Sequence, residues 1–150
     1  MLAEQVSGWD VDELWVGCSG NFTIERALAS LGLPIHSNDV TLYSTFVGHW
    51  LEGDTKFAPE LSRKALWFFP YAADYQGTMV DRVATGLMLA GYADFTKNKN
   101  PYYERMLDAV ADQWEKLHFK QVEKLEAMST RLASYSCEDV TTWVERMPER

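Results

Sequence analysis

Residues 13–51 read as a strand, a glycine-containing turn, a helix, a second strand, an acidic turn and a second helix. That order restricts the chain to folds built on a parallel sheet. Glu13-Leu-Trp-Val-Gly-Cys18 is a short apolar run that stops at Ser19-Gly20-Asn21. A run of this length, bounded by a turn signal, fits a buried parallel strand. Phe22, Ile24, Ala27, Leu28 and Leu31 then follow helical spacing, with Asn21 placed to cap the helix and Gly32 just past its end. Leu33-Pro-Ile-His-Ser37 reads as a second strand ending at Asn38-Asp39, and Thr41 to Leu51 as a second helix stopped by Gly53. Strand, helix, strand, helix in this order implies parallel pairing through a right-handed crossover.

From about Phe57 the pattern turns helical. Pro59 stands where a first-turn proline would, and Pro70 interrupts the run Leu66-Trp-Phe-Phe69. Thr78 to Asp94 carries a stripe of Met79, Val80, Val83, Leu87 and Ala90, and residues 96–100 form a polar turn rich in Lys and Asn. Asn100 as cap and Pro101 at the first helical position open a periodic run to about Ala133. Leu107, Val110, Trp114, Leu117, Gln121, Leu125, Met128 and Leu132 step along it by threes and fours. Such a helix would be about 50 Å long at 1.5 Å per residue, and the short linker pairs it with the preceding helix as an antiparallel hairpin. Residues 133–140 then return towards the sheet, and Val140 to Arg146 reads as a short closing helix. Residues 1–12 are polar and are expected to be loosely packed. The expected class is α/β, helix-rich, with a partial Rossmann-like sheet and a large helical insertion. The parts are 1–53, the insertion 54–132, and the return at 133–150.

Composition narrows the function. Of 150 residues, 47% are hydrophobic and 13% aromatic, which argues for an ordered core. Uncharged stretches such as Val40–Leu51 and Val83–Ala93 fall short of the about 20 residues that span a bilayer, so no membrane partner is expected. There is no basic-then-apolar leader, and two cysteines suit a reducing cytoplasm. The net charge of −8 is concentrated early: residues 1–60 hold nine acidic against two basic side chains. An acidic chain repels phosphate backbones, so unaided nucleic-acid binding is disfavoured. His36, His49 and His118 lie on three different elements, without His-x-x-x-His or Cys-x-x-Cys spacing, and no metal site is expected. Cys18 has no evident base partner and reads as an inert turn residue. Trp50, Trp67, Phe68, Phe69 and Trp114 read as core packing in preference to a stacking platform.

Chemistry concentrates in two places. The turn Gly17-Cys-Ser-Gly-Asn-Phe-Thr23, after a strand and before a helix, brings backbone N–H groups close to a ligand. Asp39, at the end of the next strand and about 20 residues on, is placed to accept both hydroxyls of a ribose. Each has a plain structural reading, as a turn and as a cap at Thr41. Together, on this strand–helix–strand pattern, they indicate a nucleoside pocket or its relic.

Leu14-Trp-Val-Gly-Cys-Ser-Gly-Asn-Phe-Thr23, followed by His36-Ser-Asn-Asp-Val-Thr-Leu-Tyr-Ser44, resembles the N-terminal part of the Dam-like DNA adenine methyltransferases, closest to the phage-borne antirestriction adenine methyltransferases. The resemblance is specific over residues 13–46 and thin over 133–146. It implies a class I methyltransferase sheet that binds S-adenosylmethionine along Cys18, Ser19, Gly20, Asn21 and Phe22. It further implies Asp39 on the ribose, Asn38 bracing the turn, and Glu138 or Asp139 contacting the adenine. Two departures stand out: Leu14-Trp15 replaces the family's Asp/Glu-Pro, and Cys18 takes the place of the first family glycine. The Asp/Asn/Ser-Pro-Pro-Tyr/Phe motif, which holds the target amine and stacks on the flipped base, does not occur; Phe68-Phe-Pro-Tyr71 reads as a helix break. No catalytic residue is therefore expected in these 150 residues.

The reading that follows is the cofactor-binding portion of a phage antirestriction methyltransferase, acting in the host bacterial cytoplasm. DNA would be the partner of the intact protein. The alternative is a non-catalytic phage interaction protein on a relic methyltransferase fold, using the helical hairpin to form a homodimer or to bind a host protein.

Overall fold

The computed structural model describes residues 2–97 and 100–148. The chain divides into two compact units, one of Met1–Asp54 with Ser129–Arg150, the other of Thr55–Met128.

The first unit is built on three strands, β1 (Leu14–Gly17), β2 (Ile35–Asn38) and β3 (Ser134–Ser136). β2 lies in the centre and both pairings are parallel. Side chains alternate across the pleat. Leu14, Val16, Ile35, Ser37 and Tyr135 are buried. The helices beside them are α2 (Thr23–Leu28) and α3 (Leu42–Glu52). Ser37 donates to Glu25 of α2 at 2.9 Å, and Tyr135 packs against Gly48 of α3. Trp15 points the other way. It stacks on His36 at 4.5 Å and meets Trp143 at 5.3 Å, on the helix α7 (Val140–Val144). A side chain at Gly17 would press on Val140 and Trp143, so α7 lies close against that second face.

Helix ends follow local chemistry. The Thr41 hydroxyl accepts from Ser44 N to cap α3, and Gly53, in the left-handed region at φ 74°, ends it. Gly32 ends the short 3-10 turn after α2 in the same way, at φ 69°. Asn21 does not cap α2. Phe22 occupies that position in a left-handed conformation with no side-chain cap, because Asn21 is turned outward to accept from the Thr23 hydroxyl. Residues 1–12 are not simply loose either: α1 (Leu2–Val6) buries Val6.

The second unit is helical: α4 (Arg63–Phe68), α5 (Met79–Tyr92) and α6 (Pro101–Glu126), with 3-10 turns at Pro70–Asp74 and Ala93–Thr96. Pro70 does break the helix before it. Pro59, however, lies in irregular chain, since Ser62 is the residue that caps α4. Thr78 and Asp81 form a reciprocal capping box at the start of α5. The expected hairpin is present. His118 meets the Asp81 carbonyl at one end and Phe95 meets Tyr103 at the other, the pairing of an antiparallel arrangement. Its core is Phe69, Ala72, Met88, Val110 and Trp114. Trp67 does not join that core and stands 82% exposed. Part of the polar turn expected at 96–100 falls on residues 98 and 99, outside the described residues.

α6 begins at Asn100–Pro101 as its sequence implies, but it ends at Glu126, seven residues before the expected Ala133. At 1.5 Å per residue it is about 39 Å long. The apolar spacing continues through Met128 and Leu132, yet the helix does not. Leu132 N donates to Leu51 O and Ala133 N to Ile35 O, which draws the chain out straight as it joins the sheet. Among the described residues no helix is long and apolar enough to cross a membrane.

Candidate functional site

Gly17 pairs with Asn38, and Asn38 with Ser136. The next residues, Cys18, Asp39 and Cys137, therefore leave the sheet side by side at its carboxyl edge, where open parallel sheets place their ligands.

The turn after β1 is tightly wound. Cys18, Gly20 and Phe22 are all left-handed, at φ 55°, 57° and 59°. For Cys18 and Phe22 this costs about 1–2 kcal/mol each, so surrounding bonds must hold them. Ser19 N donates to Asn38 O at 3.1 Å. Gly20 N donates to Asp39 Oδ2 at 2.8 Å, and the Ser44 hydroxyl donates to Gly20 O at 2.6 Å.

Asp39 is the hub. Its second oxygen, Oδ1, accepts from Thr41 N at 2.7 Å. Its backbone N donates to Ser136 O, and its carbonyl accepts from the Tyr135 hydroxyl at 2.7 Å. One residue thus ties together the turn after β1, the start of α3 and the end of β3. Burial works against the Asp39 carboxylate. The amide bonds from Thr41 and Gly20, with the hydroxyls of Thr41 and Ser44, outweigh it and hold the group below its ordinary pKa of 3.8. Burial pushes the Tyr135 hydroxyl above the usual tyrosine range, so it stays a proton donor.

The turn after β3 is fixed by Asn38, which is 1% exposed. Its amide donates to Glu138 O at 3.1 Å and accepts from Glu138 N at 3.2 Å. Asp139 caps α7 through Thr141, and those bonds lower its pKa. Arg146 pairs with the Glu138 carboxylate.

Between these turns lies a pocket of about 320 Å³. Of the eight residues singled out from sequence, Cys18, Asp39, Glu138 and Asp139 line it. The other four do not. Ser19 is buried within the turn, Gly20 has its N–H on Asp39, Asn21 faces solvent, and Phe22 is 1% exposed in the core against Tyr135. Val40, Thr41 and Val140 complete the wall with Asn38. Sequence reasoning named Asn38 and Thr41 as turn and cap residues but missed Val40 and Val140, because an apolar residue beside an acidic turn carries no signal of its own. Among the described residues the lining holds three carboxylates and no basic side chain, with Arg146 reaching the Glu138 carboxylate from outside it. It can accept bonds from hydroxyls and amines, and it disfavours phosphate.

Fold and site define a class: a helix-rich α/β protein on a small open parallel sheet, with an acidic crevice at the sheet's carboxyl edge. The chain belongs to a phage methylase family, since the family model described as Phage DNA Adenine Methylase-like domain 1 matches residues 1–150, the whole length. That membership makes it methyltransferase-like and links it to phage DNA modification. No curated protein and no solved structure matches the chain.

Proposed function

We propose that this chain is the cofactor-binding portion of a phage DNA adenine methyltransferase, holding the nucleoside end of S-adenosylmethionine in the crevice lined by Asp39, Glu138 and Asp139. The observation that carries this reading is the alignment of the three strand ends, which sets the carboxylate after β2 opposite the acidic turn after β3. The order β1-β2-β3, all parallel with β2 central, is compatible with one half of the doubly wound order 3-2-1-4-5-6.

The residues fit the nucleoside. A carboxylate offers about four acceptor positions, and the Gly20 and Thr41 amides use two of those on Asp39. Ribose hydroxyls would take the other two by displacing the Thr41 and Ser44 hydroxyls, which bond the same carboxylate. Glu138 and Asp139 can accept from an exocyclic amine. The three lining carboxylates suit a phosphate-free, positively charged cofactor. A volume of about 320 Å³ lies at the small end of ligand sites, which run about 300–1,000 Å³, and matches a nucleoside better than the whole cofactor. When bound, the cofactor would supply a sulfonium methyl group. The chain's residues orient its nucleoside. The Pro-Pro motif that would hold the target amine does not occur in residues 1–150.

The test is isothermal titration with S-adenosylmethionine against wild type, Asp39→Ala and Asp139→Asn. Binding lost in the first and weakened in the second supports the reading. Equal binding by all three refutes it.

A second reading has one observation in its favour: both Asp39 oxygens already serve backbone amides. On that reading the site is a relic, and the chain is a non-catalytic antirestriction protein whose hairpin of α5 and α6 binds a second copy or a host protein. Asp39→Ala would then alter stability alone.

A further inference from the structure

At the far end of α3 the chain gathers three potential metal ligands. His49 Nδ1 lies 3.5 Å from Glu52 Oε2 and 3.2 Å from Asp54 Oδ2, and the three ligand atoms all fall within 4.8 Å of one another. Their side chains are 20–29% exposed, sheltered but open to solvent. The backbone holds them there. Gly53, at φ 74°, reverses the chain, and both Gly53 N and Asp54 N donate to His49 O at 3.1 Å. Asp54 is thereby folded back over the last helical turn. The His49 ring is itself oriented by an edge contact with Tyr135 at 5.2 Å.

We propose that His49, Glu52 and Asp54 bind a divalent first-row metal ion, with Zn2+ the best match. Two arguments carry this, both independent of the cofactor crevice. The first is spacing. Bonds to Zn2+ are about 2.0–2.2 Å for nitrogen and oxygen ligands, so neighbouring ligands around a tetrahedral ion stand about 3.4 Å apart. Two of the three separations already have that value. The second is charge. Two carboxylates sit together at the C-terminal end of a helix, where the dipole is negative and anions are disfavoured. A divalent cation relieves both penalties at once, whereas a protonated His49 brings a single charge. One imidazole with two carboxylates suits Zn2+ and its neighbours better than Mg2+, which keeps its water, or Cu(I), which prefers sulfur. Three protein ligands leave a position for water. Histidine–histidine and cysteine–cysteine spacings do not detect such a site, because here the ligands are spaced i, i+3 and i+5 and the last arrives only through the left-handed glycine.

The experiment uses the metal-stripped full chain. Zn2+ is titrated calorimetrically and Co2+ is followed by visible absorption. One equivalent of Zn2+ is expected to bind, and Glu52→Gln and Asp54→Asn should each weaken it by about tenfold or more, since loss of a mere supporting residue already costs about that much. His36→Gln and Cys137→Ser should leave affinity within about twofold. The Co2+ spectrum of the wild type should intensify and shift from that of the aqueous ion. An unchanged Co2+ spectrum, no saturable Zn2+ binding up to about 1 mM, or full affinity in Asp54→Asn would each overturn the proposal. The first of these stands whether or not the variants fold, and a simple imidazolium ion pair would produce it.

Discussion

Gly48 lies in the middle of α3, where helix propensity alone favours alanine by about 1 kcal/mol. The structure predicts the opposite sign. A Cβ there would stand 2.2, 2.4 and 2.5 Å from the Cδ2, Cε2 and Cγ atoms of Tyr135, so ring or helix must give by more than about 1 Å to restore ordinary contact. Neither is free to do so. The Tyr135 hydroxyl is bonded to Asp39 O, its ring is flanked by Phe22 and His49, and its strand is paired to β2. Overpacking of this kind costs about 1–3 kcal/mol, and loss of the Tyr135 bond adds about 1 kcal/mol. After subtracting the propensity gain, Gly48→Ala should destabilise the sheet unit by about 1–3 kcal/mol. Native-state hydrogen exchange at the β2 amides reads that unit's stability directly. In a Tyr135→Ala background the obstacle is gone, and the same substitution should stabilise by about 1 kcal/mol. A stabilising Gly48→Ala in the wild-type background would refute the packing argument.

Other predictions follow from the same geometry. Asn38→Ala strands the backbone N–H and carbonyl of Glu138, and should cost about 2–6 kcal/mol at about 1–3 per unsatisfied group, measured by denaturant unfolding. Thr78→Ala removes one half of the capping box and should cost the helical unit about 1 kcal/mol, seen as faster exchange in the first turn of α5. The Asp39 carboxyl is held below 3.8 when folded. Its contribution is therefore fully present above that pH and is lost as pH falls through the lower, folded value. Melting curves taken downwards from pH 6 should fall less steeply below about pH 4 for Asp39→Asn than for wild type.

Much of the sheet unit was legible because its signals are local. Leu14–Gly17 and Ile35–Asn38 are short apolar runs ended by turn residues, and Thr41 and Gly53 carry their own capping chemistry. The same holds for the start of α6, where Asn100 and Pro101 act within one turn. Its end was not legible. Met128 and Leu132 keep helical spacing, and only the distant carbonyls of Leu51 and Ile35 decide that the chain runs straight. Asn21 misled for a related reason: left-handed Phe22 is held by contacts with Tyr135 and Ser19 that no local pattern reveals. In the crevice, Asp39 announced itself by type and spacing, whereas Glu138 and Asp139 were indicated only by the family resemblance. Phe22 and Ser19 were drawn inward by packing, and Val40 and Val140 became walls only through the register of three strands.

If a nucleoside cofactor enters the crevice at the carboxyl edge of the sheet, amide chemical-shift mapping on adding S-adenosylmethionine should show saturable shifts concentrated at Gly20, Thr41, Glu138 and Asp139, with α5 and α6 unmoved. Saturable binding whose shifts lie elsewhere, or no shifts from a folded chain at millimolar cofactor, would contradict it.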